Sequence, residues 1–402
     1  MRVIGIADSD SYLKWAGSFL GAWPAGWTRE LLIVRTPAAP SDAQRRAALS
    51  VSPFHADEVD QVGLRELIER VKTLQPDAVL VATRGPIAAV LLRLFAELHP
   101  RPVLVSGLPG ISIPATTKAL TYRRQADLFV LHSRRELREF AELARSRGLT
   151  QRFALAGLPF AVRVSPRTGT DLVFAAQAVV PRDRDDRMRV ARLLVAVADG
   201  DPDRRVVVKL RAAAGEQQTH AEEDGYSDLI AEALGGRQSV DNLVVSTGPM
   251  SRALDRAEGL LTVSSTAAIE AIARGIPVIA LDTFGVSDAL INPVFIGSGL
   301  LAGESAAIAR EFRHPDPSWL DDNYFHDPAA DDVAEHLEDL VAAAHAGRLP
   351  DRPVPYRVGG GLRRAWDRRR AFGRSDRSIS GLVAVAVGVP ARALVRAARA
   401  IS

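Results

Sequence analysis

The stretch GLLTVSSTAAIEAIARGIPVIALD, residues 259–282, decides the fold. Leu260–Ser264 reads as a short apolar strand, Ala267–Arg274 as a helix and Pro277–Asp282 as a second strand. Gly275 suits the left-handed position that closes a helix, and Pro277 cannot continue one. A strand, a turn, a helix and another strand form the repeating unit of a parallel α/β sheet.

The same rhythm runs outward in both directions. Towards the N-terminus, strands read at Arg2–Ala7, Leu31–Arg35, Ala78–Ala82, Val103–Ser106, Leu128–Leu131 and Phe153–Ala156. Helices read at Leu13–Leu20, Leu64–Leu74, Ile87–Leu98 and Arg134–Ser146; in the second of these, Leu64, Leu67, Ile68, Val71 and Leu74 make one apolar stripe. Around Val162–Asp171 the chain turns polar and loses periodicity. The rhythm then restarts with strand Leu172–Ala175, helix Asp185–Val197, strand Arg205–Leu210, helix Ser227–Ala233 and strand Leu243–Ser246. The expected fold is therefore α/β: two tandem Rossmann-like doubly wound domains, residues 1–164 and 165–345, followed by a basic, amphipathic C-terminal tail over 346–402. DRPVP at 351–355 and the glycines at 359–361 set that tail apart. Tandem domains of this kind place their ligand beyond the carboxyl ends of the strands, in the cleft between them.

Charge is distributed unevenly. The 402 residues have a formal net charge of +3, yet residues 357–402 carry 11 arginines against 2 aspartates, which leaves an acidic body. A nucleic-acid-binding globule, whose charge should cover a folded face, is not expected. With no cysteine, disulfide scaffolds, Cys-ligated metal sites and thiol nucleophiles are excluded. The N-terminus carries no apolar signal segment, so the expected location is the cytoplasm. No apolar run approaches the ~20 residues that span a bilayer.

Candidate ligand residues fall just after strands. Ser264, Ser265 and Thr266 open a helix, where a hydroxyl either caps the helix or helps bind a phosphate. Glu270, on the same helical face, either reaches a ribose hydroxyl or is solvated. Lys209 and Arg211 follow the apolar Val206–Val208 and suit a phosphate or carboxylate, or a charge pair with the polar loop holding Glu216 and His220. After the first strand come Asp8, Asp10, Ser11 and Lys14; Arg84, Gly107 and Gly110 also follow strands, the arginine as a cleft cation and the glycines as points of close backbone approach to a ligand.

SSTAAIEAIARGIPVIALD resembles the donor-binding segment of GT-B glycosyltransferases, and most of all that of bacterial sialyltransferases and polysialyltransferase-type capsular transferases. The resemblance implies that Ser264, Ser265 and Thr266 bind the phosphate of a CMP-sugar. It also sets Lys209-Leu210-Arg211 against a Lys-x-His-Pro element, so Arg211 stands where that family has its phosphate-binding histidine. Arginine can grip a phosphate but cannot donate a proton near neutral pH, which leaves His220 as the candidate acid. In such enzymes the loop after the first strand lines the acceptor side, where Asp8 or Asp10 would deprotonate the attacking hydroxyl. The expectation is an inverting glycosyltransferase moving a CMP-linked sialic-acid-like or Kdo-like sugar to a cell-surface glycan or lipid-linked acceptor, with no metal and no other cofactor. The alternatives are a UDP- or dTDP-sugar transferase or epimerase, and a non-catalytic membrane-associated module of the same fold.

In the tail, LRRAWDRRRAFGRSDR, residues 362–377, interleaves arginines with Trp366 and Phe372, and an apolar stretch follows. That combination suits a helix lying on an anionic membrane face, giving peripheral inner-membrane contact through 357–402. A disordered tail and a helix packed back on the body are the alternatives.

Overall fold

The structure, a computed structural model, describes the chain except residues 51, 162–168, 178, 211–223, 238–239, 353–359 and 389–402. The first half runs β1 (Arg2–Ala7), α1 (Asp10–Gly21), β2 (Thr28–Val34), α2 (Asp42–Leu49), β3 (Gln61–Val62), α3 (Leu64–Leu74), β4 (Ala78–Ala82), α4 (Gly85–Ala96), β5 (Val103–Gly107), α5 (Thr117–Tyr122), β6 (Leu128–Leu131), α6 (Arg134–Ser146) and β7 (Arg152–Leu155). In the second half come β8 (Asp171–Ala175), α7 (Arg184–Gly200), β9 (Val206–Lys209), α8 (Tyr226–Ala233), β10 (Leu243–Ser246), α9 (Met250–Leu254), β11 (Ala257–Thr262), α10 (Ala267–Ala273), β12 (Val278–Leu281), β13 (Leu301–Ala302) and α11 (Glu304–Ile308). Helices α12 (Pro317–Asp322), α13 (Val333–His345) and α14 (Gly361–Phe372) follow.

Each half builds a sheet whose strands pair parallel. Their orders are β3-β2-β1-β4-β5-β6-β7 and β10-β9-β8-β11-β12-β13. Both are doubly wound, with the winding reversing between β1 and β4 and between β8 and β11. The central strands are buried along their whole length, as covering by helices on both faces requires. The α3 stripe packs as its spacing predicts: Leu67 and Val71 are fully buried and Leu64, Ile68 and Leu74 partly so. Gly275 closes α10 with φ +69°, the left-handed conformation in which a Cβ is disfavoured.

Two expectations change. Residues 317–345 do not stay wholly with the second domain: α12 packs on α6 while its Trp319 stacks on Phe295 and donates to the carbonyl of Val294 (2.7 Å) in the second domain, and α13 packs on β5, β6 and β7 of the first. Polar contacts anchor the return. Arg138 grips Asp322 through two bonds of 2.6 and 2.7 Å, and Asp332 and Asp331 accept from the backbone N–H groups of Leu155 (2.7 Å) and Gly157 (2.8 Å). The expected 164/165 boundary lies outside the described residues. Secondly, the start of the tail is folded onto the body, because α14 packs on α4 and buries Phe372 in the first domain's core.

Beneath α1, Trp15 and His132 share a buried hydrogen bond. The Trp15 Nε1–H donates to His132 Nε2 at 2.7 Å, while His132 Nδ1 lies 2.9 Å from the carbonyl of Ala156. That pattern needs the neutral ring, with its proton on Nδ1. Burial pushes the imidazole below its ordinary 6.5, opposed by the nearby Glu136 carboxylate. A depressed folded-state value gives stability that is complete above about pH 6.5 and is lost as pH falls. Urea unfolding followed between pH 8 and 5 (roughly the range in which histidine titrates) should therefore show decreasing stability below that point. His132→Gln, which cannot titrate, should flatten this part of the profile; an unchanged profile would remove His132 as its source.

Candidate functional site

The two sheets direct their reversal points at one another, and between them lies a cleft of about 1650 Å3. A site for one small molecule usually occupies about 300–1,000 Å3, so the cleft has room for two substrates. From the first domain it is lined by the turns after β1 and β4, including Asp10 and Arg84, and by the loop 108–112. From the second come Gln177 after β8, Lys209 at the end of β9 and Ser264–Ala267 after β11.

Asp8 and Asp10 have different surroundings. Ser9 occupies the position before α1, and Asp10 begins the helix at the cleft wall, with Ser11 and Lys14 beside it. Asp8 is 0% exposed and lies under that wall. Its carboxylate accepts from the backbone N–H of Arg84 (3.0 Å) and from Arg84 Nε (2.8 Å). Burial raises its carboxyl from the ordinary value, with Arg84 and then Arg123 opposing the rise. The expectation that either aspartate can meet a substrate is corrected for Asp8: it is too deep, and it aims Arg84 into the cleft instead.

Arg123, unanticipated from sequence, is fully buried below the same floor. It donates to Tyr12 Oη (2.8 Å), Ser106 Oγ (3.1 Å) and the carbonyls of Thr83 (3.1 Å) and Gly107 (3.2 Å). A buried guanidinium is tolerable only with its donors satisfied, and these bonds tie the ends of β4 and β5 to α1. Gly107 is a second correction, since it does not line the cleft. A Cβ there would lie 2.6 Å from the Trp15 ring, so the close approach it permits is internal packing. Gly110 does line the cleft, but what it lets approach is the other domain: a Cβ would lie 2.5 Å from Thr266 Oγ1.

The hydroxyl triplet divides by role. Ser264 Oγ donates to the carbonyl of Ile291 at 2.5 Å. Ser265 Oγ accepts from the N–H of Ala267 (3.2 Å), and Thr266 Oγ1 accepts from the N–H of Ile111 across the domain interface (3.4 Å). Local bonds thus involve all three, yet Ser265 and Thr266 act as acceptors and keep their own protons to donate. Glu270 lines the cleft as well, and Lys14 Nζ lies 2.7 Å from its Oε1 and 4.4 Å from the centroid of the Phe160 ring. The pair joins α1 to α10 across the cleft that both residues line. Lys209 is buried, and its ammonium donates to the carbonyl of Leu210. Arg211, Glu216 and His220 lie outside the described residues.

Sequence reading also missed Arg46 on α2 and Arg370 on α14, both at the cleft. The signal for α2 was present in Ser41-Asp42-Ala43-Gln44, which forms a capping box: Gln44 N–H donates to Ser41 Oγ (3.4 Å) and Ser41 N–H to Gln44 Oε1 (2.9 Å). Arg46, Arg84 and Arg370 give the first-domain side of the cleft a cationic rim. Among the described residues, no group of three His, Asp or Glu is arranged to hold a metal ion.

Comparison with known proteins places this geometry. The fold is similar to that of S. aureus MnaA in a co-structure with UDP, at TM-score 0.52 and 12% identity over 88% of this chain and 99% of that one. It is equally similar to a UDP-GlcNAc 2-epimerase from Methanocaldococcus jannaschii (TM-score 0.52, 10% identity, 85% and 99% covered). A structure described as a "putative UDP-N-acetylglucosamine 2-epimerase" from Listeria monocytogenes gives TM-score 0.51 and 14% identity, with 88% and 99% covered. At such identities the shared property is the fold, two Rossmann-like domains of the GT-B type. No protein of curated function matches the sequence. Over residues 3–340, however, the sequence matches a family described as "Putative glycosyltransferase (DUF6716)", and with a match of that extent around two facing Rossmann-like domains, the chain belongs to that family.

Proposed function

We propose that the chain transfers a glycosyl group from a nucleotide sugar, bound in the interdomain cleft, to an acceptor hydroxyl. One observation carries this reading: a carboxylate from the first domain, Asp10, and phosphate-type partners from the second, Ser265, Thr266 and Lys209, line the same cleft. The two hydroxyls donate to donor phosphate oxygens and the buried ammonium supplies opposite charge. Asp10 takes the acceptor proton, and the acceptor oxygen bonds to the anomeric carbon as that carbon's bond to the donor phosphate breaks. The electron pair leaves on the phosphate, and a single displacement inverts the anomeric centre. Arg84, held from below by Asp8, and the neighbouring Arg46 and Arg370 favour an acceptor bearing negative charge.

For the donor, uridine diphosphate sugars are the first candidates. The cytidine monophosphate reading rests on the sequence resemblance and its serine pair, and Ser264 is engaged with Ile291. What supports uridine is that one protein of similar fold is a complex with UDP and others are named for UDP-GlcNAc. Those names also motivate a second reading, UDP-sugar epimerisation. The resemblance sets Arg211 on the donor phosphate, and His220 stays the candidate proton source in its place.

A thermal-shift series with UDP, CMP, GDP and dTDP should give its largest rise with UDP; at ligand ~100-fold above Kd the stabilisation is about 2.7 kcal/mol. The largest rise with CMP would favour the cytidine donor, and no rise with any nucleotide would favour a non-catalytic module. Conversion of a UDP-sugar to its epimer without acceptor would favour the epimerase.

The two aspartates should also separate by substitution. Asp10→Asn should lower kcat about 10²–10⁴-fold while leaving nucleotide binding intact, and retained turnover would refute its role as base. Asp8→Ala should lower unfolding stability by about 1–3 kcal/mol, because Arg84 loses its acceptor in a mostly buried setting. Stability unchanged in urea titration would contradict the assigned pairing.

A further inference from the structure

Beyond α14 the chain turns back at 373–378 and resumes as helix over 379–388. The turn is clamped. Arg368 donates to Asp376 Oδ2 (3.1 Å), Ser378 Oγ (2.6 Å) and Ser380 Oγ (2.8 Å), and Arg369 donates to the Asp376 carbonyl. On its inner side α14 is fixed to the body by Arg364–Glu97 (2.6 Å) and Arg93–Asp367 (3.6 Å). The outer hairpin is thus a built element.

Its amphipathicity runs opposite to that of a helix packed on a core. Small residues make its inner side: Gly381 and Ala384 are buried, a Cβ on Gly381 would lie 2.5 Å from Asp376 in the turn, and one on Gly388 would lie 2.4 Å from the Trp366 ring of α14. The bulky apolar residues point away from the protein. Ile379 is 80% exposed, Leu382 53%, Val383 50% and Val387 51%, at helical spacings that form one face, and Leu362 on α14 adds another at 52%. Arg374 and Arg377 are exposed at the adjoining turn, and residues 360–388 carry seven arginines against two aspartates.

We infer that this hairpin docks on an anionic lipid bilayer. Its four exposed side chains enter the boundary between headgroups and acyl chains, and Arg374 and Arg377 meet lipid phosphates. Charge selects this occupant over a second copy of the chain, because a symmetric dimer would set one arginine-rich hairpin against another. Among the described residues no helix is long and apolar enough to cross a membrane, which fits a surface contact. Arg370 and Ala371, on the same hairpin, also line the interdomain cleft, so docking holds that cleft beside the lipid. The consequence for a membrane-borne acceptor rests on the transferase reading; docking itself does not.

Co-sedimentation of the full chain with vesicles tests it without reference to activity. Binding is expected to vesicles of phosphatidylcholine mixed with phosphatidylglycerol, to weaken with added salt, and to be at least about tenfold weaker on phosphatidylcholine alone. The triple substitution Leu382→Ser, Val383→Ser, Val387→Ser alters exposed positions and should keep the wild-type melting temperature while losing about tenfold or more in vesicle affinity. Arg374→Gln with Arg377→Gln should weaken binding to the anionic vesicles only. Equal sedimentation of wild type and triple variant would overturn the proposal. So would a dimer in analytical ultracentrifugation that the triple variant abolishes while neither protein sediments with lipid.

Discussion

Because the strands of each sheet pair parallel, every connection crosses over through a helix or long loop, and the carboxyl ends of all strands in a sheet finish on one edge. Where the winding reverses, neighbouring connections leave to opposite faces and open a crevice. Two such crevices face each other here. That arrangement places the turn after β1, with Asp10, opposite the turn after β11, with Ser265 and Thr266, although more than 250 residues separate them in sequence. Gly110 and Thr266 bring the walls into contact at one point, and the 2.7 Å pair of Lys14 with Glu270 joins them at another. The cleft takes its shape from topology, and only its fine chemistry from individual side chains.

How far the sequence revealed this depends on how local each signal was. Strands such as Ala78–Ala82 and Leu128–Leu131 are continuous apolar runs buried on both faces, and their bounds were readable to the residue. Helix α2 was not, because it buries only Ala48 and Leu49 and leaves no stripe, although its capping box was legible. The return of α12 and α13 to the first domain depends on partners such as Arg138 and Asp322, 184 residues apart, for which no local pattern exists. At the site, the loops themselves were readable as strand ends. What was not readable was depth: Asp8 and Asp10 are two residues apart, yet one is sealed beneath Arg84 and the other reaches the wall. The pairing of Lys14 with Glu270 was not readable for the same reason, since a charge that meets its partner across a domain interface looks solvated in sequence.

The charge imbalance has a structural counterpart. Eleven arginines in the last 46 residues first mark a tail, but α14 buries Phe372, pairs Arg364 with Glu97 and sets Arg370 at the cleft. Part of that positive charge is therefore built into the first domain beside the cationic rim of Arg46 and Arg84.

The central claim, that the cleft between the two domains holds a nucleotide sugar, is tested most directly by a crystal structure of the chain with a bound nucleotide donor, UDP-sugar first. The account predicts the donor phosphates within hydrogen-bond distance of Ser265 and Thr266 and near Lys209, with the sugar turned towards Asp10. A nucleotide found away from the ends of β9 and β11, or a cleft left empty at saturating donor, would contradict it.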